Sequence, residues 1–318
     1  MGNQPERSFI SPVERTSTQH HPLLLDGERL FETCFNRRTF GFRHELSDDP
    51  RFGLSSLTRL AERLSKRDAV YWSNGAVGVS DRWETGTGRR QPLMSTLENI
   101  ARNDSLVMLR SVVHDPELGP VVRHWLSVIT ERVGTALRDD ATRARATILI
   151  ASPHRITAYH IDSDVNFLMQ VAGKKQFRVY DHSDPTLITA EELERYFAGD
   201  ANGARYKPER LSDAVTYELD AGLGAHVPAM APHWAKNGDD ISIAVSFNFD
   251  LRSIERTARL HKVNRRLRRL GLLPKPPGTG VAADQTKLAL YRMYDVAHRM
   301  LAPVRAANDG EAWDLRAN

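Results

Sequence analysis

The chain has 318 residues, of which 41% are hydrophobic and 26% are charged, and this composition excludes disordered, collagen-like and coiled-coil proteins. No apolar run approaches the roughly 18 residues that a membrane-spanning helix needs, so we expect no membrane segment. Residues 1–25 contain no basic stretch followed by an apolar one, which argues against a secretion signal, and the presence of a single cysteine favours the reducing cytoplasm.

Charge distribution and cysteine content narrow the class of protein further. The net charge is +4, but nine Lys and Arg residues lie between positions 251 and 275, where Glu255 is the only acid. The basic character therefore belongs to one segment. The single cysteine, Cys34, excludes an intramolecular disulfide and a cysteine-rich zinc site, and we expect it to be a small buried side chain.

Helical patterns dominate the first half of the chain. Residues 1–25 predict a flexible polar arm, and residues 26–145 predict a helix-rich region that packs on the β-rich part that follows. The predicted helices are residues 54–64, a short helix introduced by the capping-box spacing of Ser95 and Glu98, and residues 120–137. The glycine-rich segment 69–90 predicts a loop with one or two strands.

The hydrophobic period changes at about residue 146. A capping-box spacing of Thr189 and Glu192 predicts one helix, over residues 189–197. The predicted strands are residues 147–151, 155–161, 166–172, 175–180, 215–219, 224–228 and 241–249. Many short strands without alternating helices predict an antiparallel sandwich or barrel over residues 146–250, so the chain is expected to be mainly β with helical additions.

The last part of the chain, residues 251–318, is again helical in pattern. A basic helix within residues 252–275 has an apolar stripe of Leu260, Val263, Leu267 and Leu270, with its arginines on the other side. A final helix runs from about residue 284 to 301. Its apolar residues exceed one face, which predicts a homodimer through the C-terminal helices, and packing on the N-terminal helices is the alternative.

A short polar pattern in the first strands points to metal chemistry. His160 and Asp162 are two residues apart, so on an extended chain both side chains project to the same side. An imidazole and a carboxylate presented together suit Fe(II), Mn(II) or Zn(II). A third ligand has to come from elsewhere in the chain, and the later strand-rich stretch offers His226 and His233.

At these residues the sequence resembles the JmjC and cupin-like Fe(II)/2-oxoglutarate oxygenases, in particular the branch with protein hydroxylases. Thr157, His160, Asp162 and Asn166 match the family run T-x-x-H-x-D-x-x-x-N, and a Gly-x-Lys hairpin that ends at Lys175 follows. His-Val-Pro before a His-Trp pair, and the closing segment ISIAVSFNF, are similar to later parts of the same pattern. The resemblance covers residues 145–250 well and the N-terminal half more loosely.

The resemblance implies a double-stranded β-helix, the cupin or jelly-roll barrel, with an N-terminal α-rich region and C-terminal helices. It implies iron held by His160, Asp162 and His233, with His226 as the alternative third ligand. Lys175, in competition with Lys174, and Thr157 would bind 2-oxoglutarate. The remaining cofactor-binding candidates are Asn166, which would point into the barrel, and Ser246, which stands where the family often has Asn.

Two functions from different classes follow. The first is an Fe(II)- and 2-oxoglutarate-dependent dioxygenase that uses O2 to hydroxylate a protein or peptide side chain or a small molecule, with succinate and CO2 as co-products. The alternative is a cupin-like metal-binding regulatory module that contacts nucleic acid or an acidic partner through the basic 252–275 segment. We favour the first, because the resemblance implies both a complete set of iron ligands and a lysine for 2-oxoglutarate.

Overall fold

The computed structural model describes residues 29–82 and 91–301, with side chains described up to residue 296. The helices are α1 (Leu30–Thr33), α2 (Leu54–Ser65), α3 (Leu93–Glu98), α4 (Gly119–Val133), α5 (Thr135–Arg138), α6 (Ala190–Phe197), α7 (Arg252–Arg269) and α8 (Val281–Leu301). The strands are β1 (Phe40–Arg43), β2 (Val70–Ser73), β3 (Leu106–Leu109), β4 (Ala141–Ala151), β5 (Ile156–His160), β6 (Val165–Ala172), β7 (Lys175–Val179), β8 (Val215–Leu219), β9 (Leu223–Val227), β10 (His233–Asn237) and β11 (Ser242–Leu251). Among the described helices, none combines the length and the apolar character needed to cross a membrane. The predicted arm at residues 1–25 lies outside the described residues.

The strands form two antiparallel sheets. One sheet has seven strands in the order β1-β9-β6-β11-β4-β3-β2, and the other has four in the order β5-β10-β7-β8. From β4 to β11 the chain passes repeatedly from one sheet to the other, so that β4-β11-β6-β9 faces β5-β10-β7-β8. This arrangement is the double-stranded β-helix. The prediction of a mainly β barrel with helical additions is confirmed.

Strand alternation separates the outer face of the larger sheet from the barrel interior. On β6, Phe167 and Met169 belong to the core shared with the N-terminal helices, whereas Leu168 packs against the smaller sheet. On β11, Val245 and Phe247 likewise face the helices. Because side chains alternate along a strand, the intervening positions of β6 and β11 line the inside of the barrel.

Several predicted elements differ in their bounds from the observed ones. The capping-box prediction at Ser95 is wrong, because α3 already begins at Leu93 with Pro92 as its N-cap, which places Ser95 inside the helix. The predicted helix at 120–137 is two helices, since Gly134 adopts a φ of 76° between them. The capping box of Thr189 and Glu192 is present at α6, and Cys34 is buried, as expected.

The region predicted to be helix-rich also contributes strands. β1 pairs with β9, and β3 pairs with β4, so both extend the larger sheet of the barrel. β4 begins at Ala141, before the expected change of period at residue 146. The division of the chain at residues 25, 145 and 250 stays a prediction.

The C-terminal helices pack only in part. α7 buries Leu260 and Val263, but the predicted apolar stripe is wrong at Leu270, which is 77% exposed beyond the last turn. On α8, Leu288 is buried, whereas Met293 is 71% exposed. The homodimer stays a prediction.

The hairpin between β6 and β7 depends on Gly173. Its φ is +68°, and a Cβ at this position would lie 2.5 Å from the carbonyl oxygen of Ile241. We expect Gly173→Ala to lower the free energy of unfolding by at least about 3 kcal/mol, because left-handed strain and a backbone clash add together. Gly271→Ala, with a φ of +80° and nothing within 4 Å of the added Cβ, is the control and should cost about 1 kcal/mol. Equal costs in urea unfolding of the two variants would contradict this account of the hairpin.

Candidate metal centre

Two histidines lie opposite each other on neighbouring strands of the smaller sheet. In the antiparallel pairing of β5 and β10, His160 is opposite His233, and Thr157 is opposite Ala235. The spacing is three residues on β5 and two on β10, so β5 contains a β-bulge. The extra residue lets Thr157 and His160 both line the same cavity, although residues three apart on a regular strand face opposite sides.

A carboxylate completes the group. Oδ2 of Asp162 lies 3.5 Å from Nε2 of His160 and 3.6 Å from Nε2 of His233. One ligand atom from each of the three residues lies within 4.8 Å of the others. The backbone N–H of Met230 donates to the carbonyl oxygen of Asp162 at 2.7 Å, which holds the segment after β5 in place. The structure therefore brings together the three residues that the sequence proposes as iron ligands.

The histidine rings are oriented by the backbone. Nδ1 of His160 is 2.7 Å from the carbonyl oxygen of Ala158, and Nδ1 of His233 is 2.9 Å from that of Ala231. A carbonyl oxygen only accepts hydrogen bonds, so each Nδ1 carries the proton and each Nε2 is the ligand atom turned toward Asp162. Two imidazole nitrogens and one carboxylate oxygen are the donor set of non-haem Fe(II) sites. The residues present fit the iron that the resemblance implies.

The electrostatics of the three residues are strongly coupled. Burial opposes a charged imidazole at His160, but the adjacent Asp162 carboxylate outweighs it and raises the pKa of His160. Burial and the neighbouring His160 lower the pKa of His233 to about 4. Burial opposes ionisation of Asp162 as well, yet the two imidazoles hold its pKa well below the usual range. Asp162 is therefore an anion between two ring nitrogens, an arrangement that a divalent cation completes.

A buried lysine faces the same cavity from β7. Lys175 is 6% exposed, and its Nζ donates to Oδ1 of Asn237 at 2.6 Å. Among the described residues, no carboxylate lies within salt-bridge distance of this ammonium group. The neighbouring Lys174 points outward, with its Nζ 3.2 Å from Asp220 and its side chain 74% exposed. The hairpin register therefore turns Lys175, and not Lys174, toward the interior.

Burial lowers the pKa of Lys175 from 10.5 to about 8, which makes folding depend on pH. Between these values the unfolded chain holds a proton that the folded protein has released, so the free energy of unfolding rises with pH. We expect the wild type to gain roughly 3 kcal/mol relative to Lys175→Met between pH 8 and 10.5. Urea unfolding of both proteins across this range measures the difference, and a difference that does not change with pH would contradict the buried charge.

A cavity of about 340 Å³ connects these groups. Its wall includes the three candidate ligands and the four predicted cofactor-binding residues, namely His160, Asp162, His233, Thr157, Asn166, Lys175 and Ser246. The candidate metal site and the buried ammonium of Lys175 therefore open into one space. Its volume lies at the small end of the range for ligand pockets, which is about 300 to 1,000 Å³.

A chain of hydrogen bonds links four polar side chains that line the cavity on the side of the larger sheet. Nδ2 of Asn248 donates to Asp164 at 3.0 Å, which leaves Oδ1 of Asn248 to accept from the Ser246 hydroxyl at 2.8 Å. The oxygen of Ser246 then accepts from Nδ2 of Asn166 at 2.6 Å. Consequently Oδ1 of Asn166 is a buried acceptor without a hydrogen-bond partner among the described residues. It can bind an N–H or O–H group, but it cannot bind a carboxylate oxygen.

The sequence interpretation assigned no site role to several polar residues that line the cavity, among them Arg110, Arg145, Asp164, Tyr196 and Asn248. Asp164 and Asn248 each follow a predicted site residue by two positions, so strand alternation is the signal that would have found them. Arg145 binds Asp164 at 2.8 Å and Asp250 through both guanidinium ends at 2.7 Å. Burial and the charge of Asp162 raise the pKa of Asp164 to about 7.

The remaining histidines have other environments. His226, the alternative third ligand, is fully buried beside Phe167, and its Nε2 accepts the backbone N–H of Asn36 at 3.0 Å. It is a wall residue outside the group of three candidate ligands. His154 is 63% exposed, and its Nε2 lies 3.7 Å from Oδ1 of Asp239.

Comparisons with known proteins give similarities of structure only. No protein-family model matches the chain, and no curated protein matches it in sequence. The crystal structure of Escherichia coli ribosomal oxygenase YcfD is similar, with 15% identity over 86% of this chain and 67% of that chain, and a TM-score of 0.49. A structure of YcfD in complex with cobalt and 2-oxoglutarate is similar over 87% of this chain and 68% of that one, with 15% identity and a TM-score of 0.47. The Lactobacillus farciminis oxalate decarboxylase formate complex matches 34% of this chain and 24% of its own, with 19% identity and a TM-score of 0.24.

Proposed function

We propose that the chain is an Fe(II)- and 2-oxoglutarate-dependent dioxygenase that hydroxylates a side chain of a protein or peptide, or a small molecule. The observation that carries this proposal is the shared cavity, which has a two-histidine, one-carboxylate group and a buried lysine without a carboxylate partner in the described part of the chain. The two histidines and the carboxylate suit iron, and the lysine suits an anion that binds beside the iron in the same cavity.

Iron held by His160, Asp162 and His233 would couple the oxidative decarboxylation of 2-oxoglutarate by O2, which yields succinate and CO2, to the insertion of one oxygen atom into a substrate C–H bond. The protein binds the three ligands in fixed orientations, because backbone carbonyls hold both histidine rings. Loss of either histidine would leave two donor atoms, and the described residues contain no other group of three possible ligands.

Lys175 serves as the receptor for the distal carboxylate of 2-oxoglutarate. An ammonium group has three N–H donors, and Asn237 accepts one of them, so two remain for the carboxylate. Thr157 lines the same cavity and offers a hydroxyl donor to that carboxylate. Burial strengthens the pairing, since it removes the water that competes for both charges.

The substrate enters the space left beside 2-oxoglutarate. A cavity of about 340 Å³ has room for 2-oxoglutarate and one side chain or a compact molecule, which supports a protein or peptide substrate. Oδ1 of Asn166 can accept an N–H or O–H group of the bound molecule, and Ser246 fixes the orientation of that amide.

Succinate formation tests the proposal without knowledge of the substrate. Purified protein, loaded with Fe(II) and incubated with 2-oxoglutarate in air, should release succinate slowly, because such enzymes also turn over in the absence of substrate. Asp162→Asn should abolish the signal, and His154→Ala, which changes an exposed histidine, should keep it. Protein that binds iron tightly but consumes no 2-oxoglutarate would overturn the assignment.

A further inference from the structure

A second concave surface lies between α7 and the first half of α8. It encloses about 490 Å³ and is lined by four arginines, one carboxylate and one aliphatic residue, among others: Arg252, Arg256, Arg259, Arg292, Asp140 and Leu288. We call it the arginine groove. It shares no lining residue with the cavity at the metal centre.

The arginines form one row on α7. Arg252, Arg256 and Arg259 are spaced by four and three residues, which places them on one face of the helix, and all three are exposed. At about 1.5 Å of rise per residue they span about 10 Å along the axis. Arg292 is also exposed and faces the same groove from α8.

The positive charge of the groove is compensated only in part. Arg256 and Arg292 form no salt bridge with any described residue. Arg252 donates to the neutral carbonyl oxygen of Asp139 at 3.1 Å, and Arg259 lies 3.7 Å from the half-exposed Glu255. Three of the four guanidinium groups therefore have no salt bridge with a described carboxylate, and the fourth, that of Arg259, has one long contact with a half-exposed glutamate.

The one carboxylate of the groove is hydrogen-bonded to a serine and forms no salt bridge with the arginines. Asp140 accepts the backbone N–H of Ser253 at 3.0 Å and also the hydroxyl of Ser253. Elsewhere on α7 the pattern is different, since Arg268 is neutralised by Glu194 at 3.0 Å and by Glu191 at 3.1 Å. Arg265, Arg266 and Arg269, near the same end of α7, form no salt bridge with a described residue either, so the distinguishing feature of the groove is that it gathers four guanidinium groups around one concave surface.

The chemistry of the lining selects among anionic partners. Guanidinium groups bind phosphate oxygens in a bidentate manner, and the groove contains arginines but no lysine. Among its described lining residues, no aromatic side chain is present for stacking on unpaired bases, and Leu288 is the only large apolar residue. A row of about 10 Å is long enough to contact at least two successive phosphates of one strand in a duplex, where the charge recurs about every 3.4 Å along the axis.

We propose that the arginine groove binds the phosphate backbone of a nucleic-acid duplex, without reading its sequence. This surface is separate from the metal centre, so binding does not depend on the oxygenase assignment. The His233→Ala variant should therefore bind a duplex with the same affinity as the wild type.

Fluorescence anisotropy with a labelled DNA duplex of about 20 base pairs tests the proposal, because each neutralised phosphate contributes about −0.9 to the slope of log K against log salt. Four arginines predict a slope of about −3.6, so affinity should fall about 100-fold between roughly 50 and 200 mM NaCl. Arg256→Gln with Arg292→Gln should halve the slope and reduce the fall to about tenfold.

The control removes the same charge elsewhere. Lys236→Gln with Arg269→Gln changes two exposed residues that do not line the groove, and should keep the wild-type slope. An unchanged slope in the groove variant, or equal effects in the two double variants, would overturn the proposal.

Competition experiments distinguish other anionic partners. Displacement of the duplex by a polyglutamate peptide of equal charge at the same concentration would indicate an acidic protein partner. Preferential binding to anionic lipid vesicles would indicate a membrane surface. Either of these results would also overturn the proposal.

Discussion

Replacing His233 with alanine should lower the affinity for a divalent metal by more than about 100-fold and abolish succinate formation. Loss of residues that merely orient a ligand already costs about 10- to 100-fold in metal affinity, so loss of a donor atom should cost more. Co(II) is a convenient probe, because its visible absorption reports coordination at a histidine-carboxylate site. The variant and the wild type are compared by titration followed at these wavelengths.

His154→Ala is the matched control for this prediction. It also removes an imidazole, from the turn between β4 and β5, but that imidazole is 63% exposed and lies outside the group of three candidate ligands. Asp162→Asn serves as a second variant that keeps the side-chain shape and removes the negative charge. Wild-type Co(II) affinity in both His233→Ala and Asp162→Asn, with far-ultraviolet circular dichroism unchanged, would exclude this site as the metal centre.

Replacing Lys175 with methionine should lower the affinity for 2-oxoglutarate by about 10- to 100-fold and leave metal binding intact. A hydrogen bond to a charged group contributes about 1.5 to 3 kcal/mol, and each 1.4 kcal/mol is a factor of ten. Methionine keeps most of the buried aliphatic stem, so the change isolates the charge. The measurement is isothermal titration of the Co(II)-loaded protein with 2-oxoglutarate.

The adjacent lysine provides the control. Lys174→Met removes the same charge one residue earlier, from an exposed side chain paired with Asp220, and should not change the affinity. Asn237→Asp should reproduce the loss while Lys175 is still present, because a carboxylate in place of the amide oxygen at 2.6 Å from Nζ would neutralise the ammonium group. A larger loss of affinity for 2-oxoglutarate in Lys174→Met than in Lys175→Met would mean that Lys174, and not Lys175, binds it, and would contradict the proposed hairpin register.

Local patterns in the sequence were sufficient for most barrel strands and for part of the site, but the strand β10, which carries His233, was not predicted. The alternation along β6 and β11 separates residues such as Phe167 and Phe247, which face the helices, from Asn166 and Ser246, which face the cavity. His160 and Asp162 carry the metal signal because they are close in the chain. The choice between His226 and His233 needed the pairing of β5 with β10, which is a contact between distant parts of the sequence.

Features set by long-range pairing could not be predicted. β1 and β3 are four-residue strands within a region of helical pattern, and they form because edges of the larger sheet at β9 and β4 are available to them. The bulge in β5 leaves no mark in the sequence, yet it is what turns Thr157 toward the cavity together with His160. The contact of Arg145 with Asp164 and Asp250 likewise depends on β4 and β11 lying side by side.

The most direct test of the account is an anaerobic titration of the Fe(II)-loaded protein with 2-oxoglutarate, followed by visible absorption. Chelation of the iron by 2-oxoglutarate produces a metal-to-ligand charge-transfer band. The account predicts a band in the wild type, a band that needs much more 2-oxoglutarate in Lys175→Met, and none in His233→Ala. Tightly bound iron that gives no band at saturating 2-oxoglutarate would contradict the assignment of this cavity as a 2-oxoglutarate oxygenase site.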